Sequence, residues 1–468
     1  MNDMRLFEKI TIISIALAVL AGGGAVPLCA QPAPIPHHRQ PYLLDSGVQK
    51  GLEAETASLF RETVQAAGVP WLRLHFVDYD LGEQSFVRIT SLGDGAVQIL
   101  DADSLGHWYG SSAFFNGDAV EVELYVAPVE TDVFIKIQEI TVGEWAGGGD
   151  VGTAGDVGIA SICGGEDDRV RSTDPRVGRI VPVGCTGWIT SNGAHLTAGH
   201  CTDGTGTHMQ TLEFNVPDSL SDGTIQHPDP EDQYPIDASS IVFFNDGGGE
   251  IGNDWTVFGC NANSNTGLLP IQGQNAFYRM SRDHSPTNVR ITGCGEDNMP
   301  PGSTGGLNSD NQTQQTHWGA YLREVVEGAS DVFIEYTVDT MGGSSGSPVI
   351  IYGTTTTLGI HTNAGCNPPD NGNTGTGFEH DNLENAIQTF LGSNVVYADS
   401  GDLVAPEDGT VFRPFDTVAE AISAVLDNGI VSIVTGSYTA AAGNTFTAGE
   451  DGKRMTFSVP VGSVTIGE

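Results

Sequence analysis

Apolar residues recur at every second position through much of this chain, a period that fits strands with one buried face. Leu72, Leu74 and Phe76 alternate with Arg73, His75 and Val77, and Val120, Val122, Leu124 and Val126 alternate with Glu121, Glu123 and Tyr125. Val133, Ile135 and Ile137 repeat the pattern. Gly/Asp turns separate the runs, and 62 glycines among 468 residues suit a chain that reverses direction often. The predicted fold class is therefore mainly β, with an antiparallel β-sandwich over residues 51–145. No set of side chains there points to chemistry, so this unit reads as an accessory or pro-domain.

The formal net charge of −40 argues against nucleic acid or an anionic membrane as partner, because the surface field repels both. Arg5 and Lys9 precede an apolar stretch from Ile10 to about Leu20, followed by small residues and Cys-Ala-Gln at 29–31. This is the pattern of a signal peptide over residues 1–30, cut after Ala30, with an apolar core too short to span a bilayer. The expected location is secreted, periplasmic or at the cell surface. Leu28 is bulky where a lipoprotein signal has a small residue, which argues against lipid attachment at Cys29. Residues 31–50 are rich in Pro and Gln and are expected to be disordered, and 146–158 read as a Gly-rich flexible linker open to proteolytic maturation.

Residues 159–395 form the next unit, closed by a helix in which Leu383, Ile387, Phe390 and Leu391 share a face before Gly392. In the tail, 396–468, Thr417 and Glu420 make a capping box ahead of Val418, Ile422, Val425 and Leu426. Short strands are predicted at 430–434, 455–459 and 464–466. Without Cys29, six cysteines remain, at 163, 185, 201, 260, 294 and 366. An even set in an exported chain reads as disulfides with every pairing open on counting alone, and no C-x-x-C spacing suggests zinc.

Chemistry concentrates in the unit at 159–395. Residues 196–201 read Leu-Thr-Ala-Gly-His-Cys, residues 253–255 read Asn-Asp-Trp, and residues 342–348 read Gly-Gly-Ser-Ser-Gly-Ser-Pro. A serine hydroxyl is a weak nucleophile at neutral pH and needs an imidazole to take its proton; the imidazole needs a carboxylate to fix its tautomer. His200, Asp254 and Ser345 supply the three groups. Asp254 is favoured over Asp237 because an apolar strand follows it directly.

These three blocks resemble the trypsin-like, chymotrypsin-fold serine proteases. The resemblance implies a double β-barrel, catalytic His200, Asp254 and Ser345, and an oxyanion hole from the Gly343 and Ser345 amides. It also implies a Cys185–Cys201 disulfide bracing the histidine loop, worth about 3 kcal/mol for a loop of that size. Gly199 stands where the family has alanine, read as a small-for-small change. Ser344 stands where digestive trypsins have an aspartate that pairs with the cut N-terminus, so that route of activation is not expected.

The chain looks closer to the bacterial glutamyl and lysyl endopeptidases, which share Gly-x-Ser-Gly-Ser-Pro and the Leu-Gly-Ile-His string at 358–361. By analogy with the lysyl enzymes Cys163 pairs with Cys366, leaving Cys260 with Cys294 by elimination. Thr340 and His361 fall where the glutamyl enzymes line an acid-binding pocket. Lysyl enzymes also carry that histidine, so the expectation leans to acidic or small residues at the P1 position, with Asp370 keeping a basic preference open. The reading is a secreted serine endopeptidase with protein or peptide substrates and no cofactor. Its rival is a catalytically silent binding or surface protein on a protease-like scaffold. The tail resembles the cap and first coil of pectin-lyase-like right-handed β-helices, which implies glycan or cell-surface contact. The acidic loops at 203–206 and 245–250 read as solvated turns rather than calcium sites.

Overall fold

The computed structural model describes residues 32–52, 54–146, 161–245, 251–282, 286–297, 308–366, 371–401, 406–434, 436–440 and 452–466. The signal peptide at 1–30, nearly all of the 146–158 linker, Asp370 and most of the 245–250 loop lie outside the described residues.

The alternating runs build two four-stranded antiparallel sheets. One orders His37–Asp45, Phe134–Gly143, Trp71–Asp80 and Phe115–Asn116; the other orders Ala57–Gln65, Ala119–Val126, Phe86–Ser91 and Val97–Leu100. Their inward residues, among them Leu72, Leu74, Val122, Leu124, Ile135 and Ile137, form one shared core. The expectation of disorder over 31–50 is corrected here. Residues 37–45 pair with Phe134–Gly143 along an edge, and only Leu44 of that strand is buried. Burial alternates only over Gln40, Tyr42 and Leu44, and exposed Leu43 between the last two hides that period in the sequence.

Two barrels follow. Val177–Pro182, Cys185–Ile189, His195–Thr197, Trp255–Cys260, Gln233–Phe244 and Met209–Glu213 close into the first. In the second, Pro348–Ile351, Asn288–Gly293, Gln315–Val326, Val332–Tyr336, Asn373–Gly377 and Thr356–Asn363 close through pairing of the last strand with the first and fifth. The fold is mainly β, a chymotrypsin-like double β-barrel. A helix at Asp381–Gln388 packs Leu383 and Ile387 against it.

The tail changes to parallel pairing. Val395–Ala398, Gly429–Ile433 and Met455–Ser458 pair in parallel, as do Gly436–Tyr438 and Val464–Ile466. Thr417 caps the helix Val418–Ala424 by accepting the Glu420 amide. The tail is fastened to the barrels where Arg279 Nε and Nη2 donate to the two oxygens of Asp399 at 2.7 and 2.9 Å.

The sandwich docks on the first barrel through amides that pair in both directions. Phe114 and Gln233 exchange two hydrogen bonds of 2.9 Å, and Asn116 exchanges two with the His227 backbone, also 2.9 Å. Beneath them lies a fully buried charge pair. Arg179 Nε and Nη2 donate to Glu213 Oε2 at 3.0 and 2.8 Å, and His227 Nδ1 lies 2.6 Å from Glu213 Oε1. Arg179 also donates to the Gln226 and Gln312 carbonyls. With both side chains fully buried, removing one partner strands the other charge. Arg179→Met is expected to lower unfolding stability by about 3–5 kcal/mol in urea titration, and adding Glu213→Leu to recover part of that loss.

Candidate active site

The histidine comes from a short turn, Gly199–Cys201, at the end of the first-barrel strand His195–Thr197. The Cys185–Cys201 disulfide ties that turn to the neighbouring strand. Asp254 immediately precedes the strand Trp255–Cys260, which pairs with His195–Thr197, so sheet register brings carboxylate and imidazole together. Asp254 Oδ2 lies 2.6 Å from His200 Nδ1, and Oδ1 accepts the His200 amide at 2.8 Å. One carboxylate thus fixes both the ring and the backbone that carries it. The second barrel holds the carboxylate's own backbone: Thr376 Oγ1 accepts the Asp254 amide and donates to its carbonyl.

Gly199 is more than a small-for-small exchange. A Cβ there would lie 1.9 Å from the Phe244 carbonyl oxygen and 2.7 Å from Asp254 Oδ1, so alanine does not fit this backbone. Asp237, the rival carboxylate, instead accepts the Ser239 amide and hydroxyl in a local turn.

Ser345 sits in a turn fixed from both sides. Its carbonyl accepts the Thr186 amide at 2.9 Å, and the Gly346 amide donates to the His361 carbonyl at 2.8 Å. Thr186 is the hub: its hydroxyl donates to the Gly343 carbonyl and accepts the Cys294 amide, while its carbonyl accepts the Thr197 hydroxyl. Gly343 has φ +89°, and a Cβ would meet the Cys294 carbonyl oxygen at 2.7 Å, so glycine is required twice over. The Ser344, Gly346 and Ser347 amides are committed to carbonyls, whereas the Gly343 and Ser345 amides carry no such bond among the described residues. Ser344 itself turns back locally, its hydroxyl accepting the Met341 amide.

Cys201, next to His200, has its sulfur 4.0 Å from the Ser345 carbonyl oxygen, which sets the two loops side by side. His200 Nε2 and Ser345 Oγ are both buried, and neither has a hydrogen-bond partner among the described residues. Such bonds commonly tighten only when substrate is bound.

Thr340 and His361 are brought to the same wall. Thr340 Oγ1 accepts from Asn373 Nδ2 at 3.2 Å, and His361 pairs in register with Gly375 on the same strand. His361 Nδ1 lies 2.8 Å from the Tyr336 hydroxyl, and its Nε2 is buried without a hydrogen-bond partner among the described residues. Burial and the neighbouring His200 push the His361 pKa down to about 3, partly offset by the Thr374 backbone, so the ring is neutral at neutral pH. Asn373, Thr376, Tyr336 and Thr186 were missed in the sequence, where each is one more polar residue in a strand.

Cys163 and Cys366 are joined. Cys260 and Cys294 are not, which corrects the pairing reached by elimination. Cys260 ends a first-barrel strand, while Cys294 follows a second-barrel strand beside Thr186; both thiols are buried singly. The Asp203 carboxylate is taken up by Thr205 and Thr207 hydroxyls.

The Trypsin family model matches residues 162–382. Similar solved structures include a thermostable serine protease, AL20, from an extremophilic microorganism, with 16% identity over 45% of this chain and 97% of that one, at a TM-score of 0.31. Another is an inactivated protease paralogue of the scabies mite, S-I1, with 15% identity over 44% of this chain and 93% of that one, also at 0.31. No curated protein matches. The family match over residues 162–382, the two barrels and the residues gathered between them identify the chain as a serine endopeptidase with a trypsin-like segment.

Proposed function

We propose that this enzyme is secreted and cuts peptide bonds through an acyl-enzyme on Ser345, with His200 as base and Asp254 as its orienting carboxylate. The observation that carries the reading is the double contact of Asp254 with the His200 ring and amide, beside an unpartnered buried Ser345 hydroxyl. In acylation His200 Nε2 takes the Ser345 proton as Oγ bonds to the scissile carbon. The Gly343 and Ser345 amides receive the oxyanion, and the imidazolium then protonates the departing amine. Water repeats the sequence on the ester. The segment ahead of residue 159 acts as an accessory or pro-unit, and the parallel tail as a β-helix-like module that contacts glycan or a cell surface.

A fluorophosphonate probe is expected to label Ser345 by intact-protein mass spectrometry, and Ser345→Ala to lose both labelling and casein hydrolysis. Asp254→Asn should lower kcat by roughly 10⁴-fold, because the ring then rests in the wrong tautomer. Hydrolysis that persists in Ser345→Ala would reject the assignment.

The P1 preference proposed is for acidic or small residues, in keeping with the glutamyl endopeptidases. In the tautomer whose Nδ1 accepts the Tyr336 hydroxyl, neutral His361 carries its proton on Nε2 as a donor for a substrate carboxylate or carbonyl. His361→Ala is expected to cut kcat/KM for a glutamyl anilide about 10–100-fold, the worth of one charge-assisted hydrogen bond. The matched alanyl anilide should change little, and an equal loss on both would assign His361 to packing alone.

A further inference from the structure

Residues 32–36 cross from the sandwich to the cleft as an extended strap. The Ala33 amide donates to the Gly184 carbonyl at 2.9 Å, and the Ile35 amide to the Pro182 carbonyl at 3.0 Å. Gln312 Nε2 donates to the Ala33 carbonyl at 2.9 Å. Ala33 and Ile35 are 3% and 2% exposed, whereas Pro34 and Pro36 face out. The strap abuts the oxyanion turn: a Cβ on Gly343 would lie 3.3 Å from the Ala33 Cβ, and one on Gly184 1.7 Å from the Ala33 carbonyl oxygen.

Direction matters as much as contact. Thr186 bonds Ser345 from the strand Cys185–Ile189, Gly184 lies in the turn before that strand, and Pro182 ends the strand before the turn. Ala33 abuts Gly343, whereas Ile35 packs with Val181, Trp71 and Phe114 towards the sandwich. The strap, read from residue 33 to residue 35, therefore leads away from the nucleophile. The leaving half of a peptide substrate has the same polarity, since its chain runs N to C away from the scissile bond. Pro32, Pro34 and Pro36 lack amide hydrogens, so only the two residues facing the barrel can pair.

Gln312 is built for more than the strap uses. Its backbone has φ +50°, a strained region for a non-glycine residue, and its carbonyl accepts from the buried Arg179. The side chain is 3% exposed, and its Oε1 is buried without a partner among the described residues. The strap thus satisfies only the amide nitrogen.

We propose that residues 32–35 act as an internal competitor of substrate, filling the trough of Gly184, Pro182 and Gln312 on the leaving-group side of the nucleophile. Gln312 is the side chain that holds a peptide there, and a ligand that also donates to Oε1 gains a bond the strap does not make. The inference rests on the serine endopeptidase reading above.

Two substrates with the same P1 residue separate the roles: an anilide with no amino acid beyond the scissile bond, and a fluorogenic peptide with four residues beyond it. In the full chain, Ala33→Pro removes the donor to Gly184 and puts ring atoms against the barrel edge. It is expected to raise kcat/KM for the peptide about tenfold, as two or three hydrogen bonds of the competitor are lost, with anilide turnover unchanged. Adding Gln312→Ala should then raise KM for the peptide alone. Peptide hydrolysis unaltered by Ala33→Pro, or both substrates altered equally, would overturn the proposal. Fluorophosphonate labelling and anilide turnover of the unaltered chain report on Ser345 without the trough. If both are absent, the endopeptidase reading falls, and this distinguishes its failure from that of the strap.

Discussion

Thr186 holds the candidate site together. From one first-barrel strand it bonds the Ser345 carbonyl, the Gly343 carbonyl, the Cys294 amide and the Thr197 hydroxyl. Three of these partners belong to the second barrel, and the fourth lies on the strand that leads to His200. A fully buried residue with all its polar atoms satisfied fixes geometry because any shift leaves a donor or acceptor unpaired. The Ser345 turn and the His200 turn therefore share one anchor, although the chain separates them by more than a hundred residues. The glycines follow from the same closeness. At Gly346 a Cβ would stand 2.1 Å from the Thr197 hydroxyl, so the two barrels approach at a distance that only a bare backbone tolerates.

What the sequence made legible was local. The strings around His200, Asp254 and Ser345 carry their chemistry in short runs, and alternation over 72–76 and 120–126 gave the sandwich its faces. Cap chemistry at Thr417 was readable for the same reason, since Thr417 and Glu420 meet within one helical turn. What escaped depended on register between distant strands. The edge strand at 37–45 alternates only over its second half and buries Leu44 alone, so its apolar residues show no clear period. Counting cysteines could not reveal that Cys260 and Cys294 fall on different barrels. Gly199 passed for a small residue among small residues until Phe244, from another strand, supplied the carbonyl that excludes a methyl group.

The buried Arg179, Glu213 and His227 connect features that look unrelated along the chain. Stacking of His227 on Phe114, with ring centres 4.5 Å apart, and its edge contact with Trp71 carry the sandwich interface, while Arg179 holds the Gln312 backbone. Such a group adds little net stability over an apolar replacement, but it ties orientation on one side of the barrel to orientation on the other. Ile35 lies in the same small cluster as Trp71, Phe114 and Val181, so the strap and the sandwich dock as one surface.

The two disulfides among the described residues both join cysteines within 163–366, and none reaches the sandwich. A single backbone cut between the sandwich and Cys163 would turn one molecule into a two-piece complex held by contacts alone. A tethered group acts at an effective concentration in the millimolar range for a short flexible connection, and that advantage ends with the cut. From then on occupancy of the barrel edge obeys mass action, so dilution into the surroundings alone would carry the severed piece away.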